Sequence, residues 1–270
     1  MSSEAATRYG KSKYSLATST ARGIYDPVTE PSNRAKVSSP PILSVVVPLY
    51  NEEDNMEPMI RELREALDGI DHELVLVNDG STDRTSERVP ATDADIRYLE
   101  FEKNTGQSAA MYAGIMAAEG EVIVLIDGDL QNDPADIPKL LAELEKGADL
   151  ACGFRAQRKD TTFKRLQSRV ANFVRRRFTG DGVRDTGCTL KAMKQPCREA
   201  LMPFTGMHRF IPALIKGAGF KVVELAVNHR ARQHGVSKYG FGNRAVRATT
   251  DMIGVKWLLS RRFSYKIKNR

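Results

Sequence analysis

Residues 122–134 have the sequence VIVLIDGDLQNDP, and this stretch decides the fold class. It begins with a short run of apolar, mostly β-branched residues, which is typical of a strand buried on both faces of a sheet. Acidic and amide side chains follow at once, and Pro134 then opens a helical pattern that continues to about Glu145. A buried strand that passes through a polar turn into a helix predicts one unit of an α/β protein.

The same unit recurs along the chain. Strands are predicted at residues 43–48, 73–78, 96–101, 150–154 and 222–227. Helices are predicted at about 52–67, just after 83, and at about 105–118, 161–178 and 207–216. We therefore predict an α/β protein with a mostly parallel, twisted sheet flanked by helices, and ligands bound where the strands end.

The composition is that of a folded protein whose charge is unevenly distributed. The chain has 270 residues, 41% hydrophobic and 28% charged, which excludes collagen-like, disulfide-scaffold and wholly disordered proteins. Residues 1–150 carry a net charge of −14, and residues 151–270 carry +21. The basic half predicts contact with an anionic ligand, a membrane surface or nucleic acid.

Cysteine usage and hydropathy predict a cytoplasmic location. Cys152, Cys188 and Cys197 have no CxxC spacing, so the sequence indicates neither a disulfide framework nor a zinc site. No apolar run reaches the roughly 18 residues that span a bilayer, and no signal peptide is recognisable. Residues 1–40 are rich in Ser, Thr, Ala and Pro, which predicts a mobile tail.

Polar clusters follow three of the predicted strands directly. They are Pro48-Leu49-Tyr50-Asn51-Glu52, Asn78-Asp79-Gly80-Ser81-Thr82-Asp83 and Asp127-Gly128-Asp129-Leu130-Gln131-Asn132-Asp133. Such residues after a single strand commonly form only a turn. Because parallel strands end at one edge of a sheet, three clusters together predict a binding site.

The third cluster predicts a metal site. Asp127 and Asp129 are separated only by Gly128, so both carboxylates can reach one cation, and Gln131 adds an amide oxygen. Oxygen ligands without His or Cys favour Mg²⁺ or Mn²⁺. Because Mg²⁺ held by few carboxylates usually completes its shell with phosphates, a nucleotide diphosphate is the predicted ligand.

These clusters resemble the motifs of family 2 glycosyltransferases of the GT-A fold, and in particular the branch that uses polyprenyl phosphates, such as dolichol-phosphate mannosyltransferase and bacterial undecaprenyl-phosphate glycosyltransferases. The segments that narrow the resemblance lie at residues 106–110, 129–134, 153–155, 168–172, 185–191, 207–212 and 235–239. The resemblance implies a metal-dependent, inverting transfer of a sugar from a nucleotide diphosphate-sugar to a polyprenyl phosphate, in the synthesis of cell-envelope glycans. A UDP-sugar and undecaprenyl phosphate are the favoured substrates.

The resemblance also implies residue roles. The nucleotide would be bound by Pro48, Tyr50, Asn51, Glu52, Asn78, Asp79, Gln107, Asp127, Gly128 and Lys238. The metal would be bound by Asp127, Asp129 and Gln131, and the acceptor phosphate by Arg155, Ser168 and Arg169. Asp129, Arg155, Arg169 and Asp185 form the predicted catalytic set, in which Asp185 orients either the acceptor or an arginine on the acceptor side.

On this basis the chain divides into a tail at 1–40, a catalytic domain at 41–230, and a basic loop with an amphipathic, membrane-facing segment at 231–270. Residues 244–270 intersperse apolar side chains and Trp257 with basic ones, which predicts amphipathic helices on an anionic membrane. The enzyme would then be peripheral on the inner face of the cell membrane, and a homo-oligomer is compatible with the sequence.

Alternatives remain at this stage. Asn78 stands where many relatives carry Asp, which leaves the donor preference open. A GDP-mannose-dependent transferase of the dolichol-phosphate type is one alternative. The acceptor could be a saccharide hydroxyl, which would require a carboxylate base. A nucleic-acid-binding protein would use the basic half but would leave the acidic clusters unexplained, so we expect no nucleic-acid partner.

Overall fold

The computed structural model describes residues 42–90, 92–156, 177–231 and 244–263, with the side chains of the last range from residue 249. It contains a single seven-stranded sheet. The strands are β1 (Leu43–Leu49), β2 (His72–Asn78), β3 (Ile96–Glu100), β4 (Val122–Leu125), β5 (Leu150–Arg155), β6 (Lys191–Lys194) and β7 (Val222–Val227). The helices are α1 (Met56–Ala66), α2 (Thr85–Arg88), α3 (Gln107–Ala117), α4 (Ile137–Glu145), α5 (Ile211–Gly217) and α6 (Arg244–Arg261), with 3₁₀ turns at Pro134–Asp136, Gln195–Ala200 and Met207–Arg209.

The sheet has the order β3-β2-β1-β4-β6-β5-β7, and β6 is antiparallel to both of its neighbours. All the other pairs are parallel. The prediction of a mostly parallel sheet is therefore confirmed. Strand β6 was not predicted, because four residues that begin and end with lysine carry little strand signal.

The core lies on both faces of the sheet. Val45 and Val47 of β1 pack with α1 and α4 on one face, and Val46 packs with α3 and α5 on the other. This two-sided burial explains why the strands are continuous apolar runs rather than alternating ones.

The C-terminal helix α6 packs on α5. Met252 and Val255 are buried in the same core as α5, and Leu259 lies against Gly217 at the end of α5. The predicted C-terminal amphipathic region thus contains one described helix. Among the described residues, no helix is both long and apolar enough to cross a membrane.

Several predictions lie outside the described residues. They are the mobile tail at 1–40, most of the helix at 161–178, and most of the loop that follows residue 231. The proposed domain boundaries at 40 and 230 stay predictions.

Gly114 is a point of close contact between α3 and the sheet. A Cβ at this position would lie 3.0 Å from Val77 Cγ2 and would overlap Val46 Cγ1. We expect Gly114→Ala to destabilise the protein by about 1–3 kcal/mol, because overpacking outweighs the gain of about 1 kcal/mol in helix propensity. Gly254→Ala is the matched control, since a Cβ there meets nothing within 4 Å. Denaturant unfolding should show opposite signs for the two variants, and a stabilised Gly114→Ala would contradict the packing.

Candidate functional site

A cleft opens at the carboxyl edge of the sheet, where the strand ends bring the polar clusters together. It is lined by Pro48, Leu49, Tyr50, Glu52, Asp79, Asn104, Gln107, Ala110, Asp127, Gly128, Asp129, Gln131, Asn132, Arg155, Gly187, Cys188, Thr189 and His229. A second depression, lined mainly by residues 80–82 and 100–104, adjoins the cleft at Tyr50 and Asn104. Most of the predicted site residues that the structure describes therefore share one cavity.

Asp127 is held in place by two side chains from different parts of the chain. Gln107 Nε2 donates to Asp127 Oδ1 at 2.8 Å, and Thr189 Oγ1 donates to Asp127 Oδ2 at 2.6 Å. Thr189 lies in a segment that the sequence singled out, but its contact with Asp127 was not predicted, because the two residues are 62 positions apart.

The short turn after β4 places the second carboxylate beside the first. At Gly128 a Cβ would lie 2.7 Å from Leu49 Cδ2, so β1 leaves no room for a side chain between the two aspartates. Leu130 has a left-handed backbone (φ 59°), and its fully buried side chain anchors this turn. Asp129 Oδ1 accepts from the backbone N–H of Gln131 at 3.1 Å.

The site concentrates negative charge in a partly dehydrated place. Burial first, and the nearby charge of Asp129 second, raise the pKa of Asp127 to about 6. A divalent cation would relieve both effects, so the aspartate pair fits Mg²⁺ or Mn²⁺. Within the described ranges no three His, Cys, Asp or Glu side chains form a metal-binding group, and Gln131, the third predicted ligand, lines the same cleft as the two aspartates.

Asp79 lines the cleft and also organises the start of α3. Its carboxylate accepts from the backbone N–H groups of Thr105 and Gly106 and from Asn104 Nδ2, at 2.7 to 3.1 Å. Burial raises the pKa of Asp79, and the smaller effect of the hydrogen bonds from the Thr105 and Gly106 N–H groups lowers it. Asn104, which the sequence did not single out, lines the cleft itself and also holds Asp79 through this hydrogen bond.

Two of the residues predicted to bind the nucleotide do not line the cleft. Asn78 is fully buried, and its amide donates to Tyr98 Oη at 3.0 Å and to Glu100 Oε1 at 2.9 Å. Asn51 has a left-handed backbone, and its side-chain oxygen accepts from the N–H of Thr82 at 2.8 Å. The two residues join the first two polar clusters to each other and to β3, and their direct contact with a nucleotide stays a prediction.

Arg155, which lines the cleft, forms a forked ion pair with Asp185. Arg155 Nε lies 2.7 Å from Asp185 Oδ2, and Arg155 Nη2 lies 2.8 Å from Asp185 Oδ1. Of the two roles that the sequence left open for Asp185, the structure places the residue against the arginine.

Lys191, at the end of the segment 185–191, is a buried cation to which the sequence assigned no role. It is 2% exposed, and its ammonium group donates to the carbonyl oxygen of Cys188. Its charge acts on Asp127 to lower the pKa, against the larger effect of burial.

Arg169, Ser168 and Lys238 lie outside the described residues, so the predictions for them are neither supported nor contradicted. His229, which carried no metal spacing in the sequence, lines the cleft where Asn132 pairs with it as an isolated β-bridge.

Comparison with known proteins agrees with this architecture. Residues 44–200 match the family model described as glycosyl transferase family 2. The chain is 41% identical to dodecaprenyl-phosphate galacturonate synthase of Rhizobium johnstonii over 227 residues, which cover 80% of this chain and 67% of the relative. It is 36% identical to undecaprenyl-phosphate 4-deoxy-4-formamido-L-arabinose transferase of Pseudomonas fluorescens over 203 residues, which cover 73% of this chain and 60% of the relative.

Among solved structures, glucosyl-3-phosphoglycerate synthase from Mycobacterium tuberculosis has a similar fold. Its complex with Mn²⁺, UDP and phosphoglyceric acid superposes with a TM-score of 0.61 at 23% identity, over 82% of this chain and 78% of that one. The same synthase with Mg²⁺ and UDP gives a TM-score of 0.60 at 23% identity, over 82% of this chain and 79% of that one.

The fold is that of a GT-A protein, with the acidic turn at the end of β4 facing the cleft. The chain belongs to glycosyltransferase family 2. It spans 60 to 67% of the length of the curated relatives named above.

The raised pKa of Asp127 predicts a cost in stability. The folded protein holds the proton up to about pH 6, whereas the unfolded chain releases it near 3.8. The wild type should therefore lose stability as the pH rises through this interval. In EDTA at pH 7.5 we expect Asp127→Asn to be more stable by about 1–3 kcal/mol, with the difference vanishing below pH 4.

Asp83→Asn is the control, because hydrogen bonds from Thr85 and from the N–H of Glu53 outweigh burial and lower the pKa of Asp83. That variant should be less stable than the wild type at pH 7.5. Thermal unfolding in EDTA from pH 4 to 8 tests both, and a destabilised Asp127→Asn at pH 7.5 would contradict the predicted cost of the charge.

Proposed function

We propose that this protein is an inverting glycosyltransferase that moves a sugar from a nucleotide diphosphate-sugar to a polyprenyl phosphate. The observation that carries the proposal is the combination of charges in one cleft, which is lined both by an aspartate pair suited to a cation and by an arginine suited to a phosphate. The names of the similar curated proteins support the same reaction class. A UDP-sugar is favoured as donor, and a uronic acid is the first sugar to test, since one relative is a galacturonate synthase.

On the donor side, Asp127 and Asp129 with Gln131 would hold Mg²⁺ or Mn²⁺. The cation would supply positive charge to the departing diphosphate. Gln107 and Thr189 hold the Asp127 carboxylate by hydrogen bonds, so the protein itself fixes the direction of this ligand. Tyr50, Glu52 and Asp79 line the same cleft as the aspartates and would contact the nucleoside.

On the acceptor side, Arg155 would orient the phosphate. A phosphate monoester is already largely ionised near pH 7, so its oxygen can attack with little help from a base, and positioning becomes the main requirement. Asp185 holds the guanidinium through two hydrogen bonds and so fixes its direction. Arg169 and Ser168 would add to this site, and Lys238 would contact the diphosphate.

The saccharide-acceptor alternative fits the cleft less well. It needs a carboxylate that can take a proton from a hydroxyl group. Both oxygens of Asp185 already accept hydrogen bonds from Arg155, which leaves this residue poorly placed to act as the base.

A substrate panel tests the proposal directly. Purified protein with Mn²⁺ is incubated with UDP-galacturonic acid, UDP-glucose or GDP-mannose, and with farnesyl phosphate or a free disaccharide as acceptor. We expect a lipid-linked sugar from a UDP-sugar and farnesyl phosphate. Transfer to the disaccharide alone would overturn the assignment of the acceptor, and transfer from GDP-mannose alone would overturn that of the donor.

Asp129→Asn should remove most of this activity without unfolding the protein. The change is nearly isosteric but deletes one charge that faces the diphosphate, and we expect the rate to fall by about 100-fold or more. Asp68→Asn, at an exposed position after α1, is the control and should leave the rate unchanged. Normal turnover and unchanged Mn²⁺ dependence in Asp129→Asn would refute the metal assignment.

We further propose that the protein acts at the inner face of the cell membrane and binds it through a C-terminal surface formed by Phe178, Ile253, Trp257 and Phe263. These four side chains are 41%, 56%, 62% and 82% exposed. Lys256 Nζ lies 5.8 Å from the ring centroid of Phe178, and Arg261 and Arg262 are exposed nearby in sequence. Exposed aromatic and aliphatic groups beside basic ones suit an anionic bilayer.

Liposome co-sedimentation tests this surface. Ile253→Ser with Trp257→Ser should weaken binding to vesicles containing phosphatidylglycerol by about tenfold or more, because both side chains point away from the core. Met202→Ser is the control, since Met202 is 46% exposed but lies outside this surface. Binding should also weaken as salt is raised. Equal binding to neutral vesicles, or no effect of the double substitution, would overturn the proposal.

A further inference from the structure

Gly187 lies directly against the guanidinium group of Arg155. A Cβ at position 187 would stand 2.8 Å from Arg155 Nη2 and 3.4 Å from Asp185 Oδ1. The first distance is well inside the 3.5–4.0 Å at which non-bonded atoms attract each other. The guanidinium therefore occupies the space that a side chain at 187 would fill.

The backbone conformation does not explain the glycine. Gly180, Gly182 and Gly206 have positive φ angles, which favour glycine, but Gly187 does not. What the site uses at this position is the absence of a side chain.

Gly187 also contributes to the support of Arg155 through its backbone. Its N–H donates to Asp185 Oδ1 at 3.1 Å, and the same carboxylate receives Arg155 Nε and Nη2. Asp185 Oδ2 additionally accepts from the N–H of Arg155 at 3.3 Å. The guanidinium is thus held by Asp185 on one side and confined by Gly187 on another.

We infer that Gly187 is a positioning residue, which sets where the charge of Arg155 lies in the cleft and thereby the affinity for the phosphate group of the acceptor. This inference rests on the proposed function. A methyl group at 187 would displace Nη2, disturb the forked pair with Asp185 and move the positive charge. The aspartates that would bind the donor contact other residues, so donor affinity would be spared.

Alanine is an informative substitution here because the atom that must move is the end of a flexible side chain. The backbone at 187 is not left-handed, so an alanine adds no backbone strain. Gly187→Ala should therefore fold, with a melting temperature close to that of the wild type.

The test compares Gly187→Ala, Arg155→Lys, the double variant and Arg155→Ala with the wild type and with Gly254→Ala as the control. Farnesyl phosphate binding is measured by calorimetry without donor, and UDP binding is measured separately with Mn²⁺. We expect Gly187→Ala to weaken farnesyl phosphate binding by about tenfold and to change UDP binding less than twofold. Since lysine has no Nη2, the double variant should bind farnesyl phosphate no more weakly than Arg155→Lys alone.

The outcomes separate this inference from the proposed function. If Arg155→Ala weakens farnesyl phosphate binding but Gly187→Ala does not, the inference is wrong and the role of Arg155 stands. Additive effects in the double variant would also overturn it, because the glycine would then act by another route. If Arg155→Ala has no effect, the acceptor site itself is misassigned and the inference fails with it.

Discussion

The pairing of β6 between β4 and β5 is the constraint on which the cleft depends. Because β6 runs against both neighbours, the chain that enters it must lie at the edge where β4 and β5 end. Those two strands deliver Asp127 and Arg155. The segment from Asp185 to Thr189 is therefore placed between them, where one end meets Arg155 and the other meets Asp127. One short segment thus supports both Arg155 and Asp127.

The aspartate pair lowers the stability of the folded protein near neutral pH, and a bound divalent cation would offset this cost. Burial and the charge of Asp129 disfavour the ionised form of Asp127. The hydrogen bonds from Gln107 and Thr189 favour the ionised form but do not balance these effects, because the pKa of Asp127 stays raised. Lys191, which is buried and does not line the cleft, lowers the pKa of Asp127 and so reduces this cost. A site that favours a divalent cation is in this way preformed rather than assembled on binding.

The proposed donor site and the proposed membrane-binding surface differ in how they are built. The residues proposed to bind the donor lie at strand ends and at the start of α3. These elements pack into the core on both faces of the sheet. The exposed aromatic and aliphatic side chains lie instead on α6 and at Phe178, beside basic residues.

Local sequence patterns determined most of the fold and the place of the site. Continuous apolar runs identified six of the seven strands to within a residue or two, because strands that are buried on both faces of a sheet consist of such runs. The polar clusters after those runs located the cleft, since parallel strands end at one edge. The sequence did not show which of these polar side chains line the cleft, because that depends on tertiary contacts. Asn51 and Asn78 do not line the cleft, and their side chains hydrogen-bond to Thr82 and Tyr98. Thr189 contacts Asp127, 62 positions away in the chain, and Gly187 contacts Arg155, 32 positions away. These contacts depend on the register of β6 and on the space left beside one guanidinium group, and neither has a local periodicity from which it could be predicted.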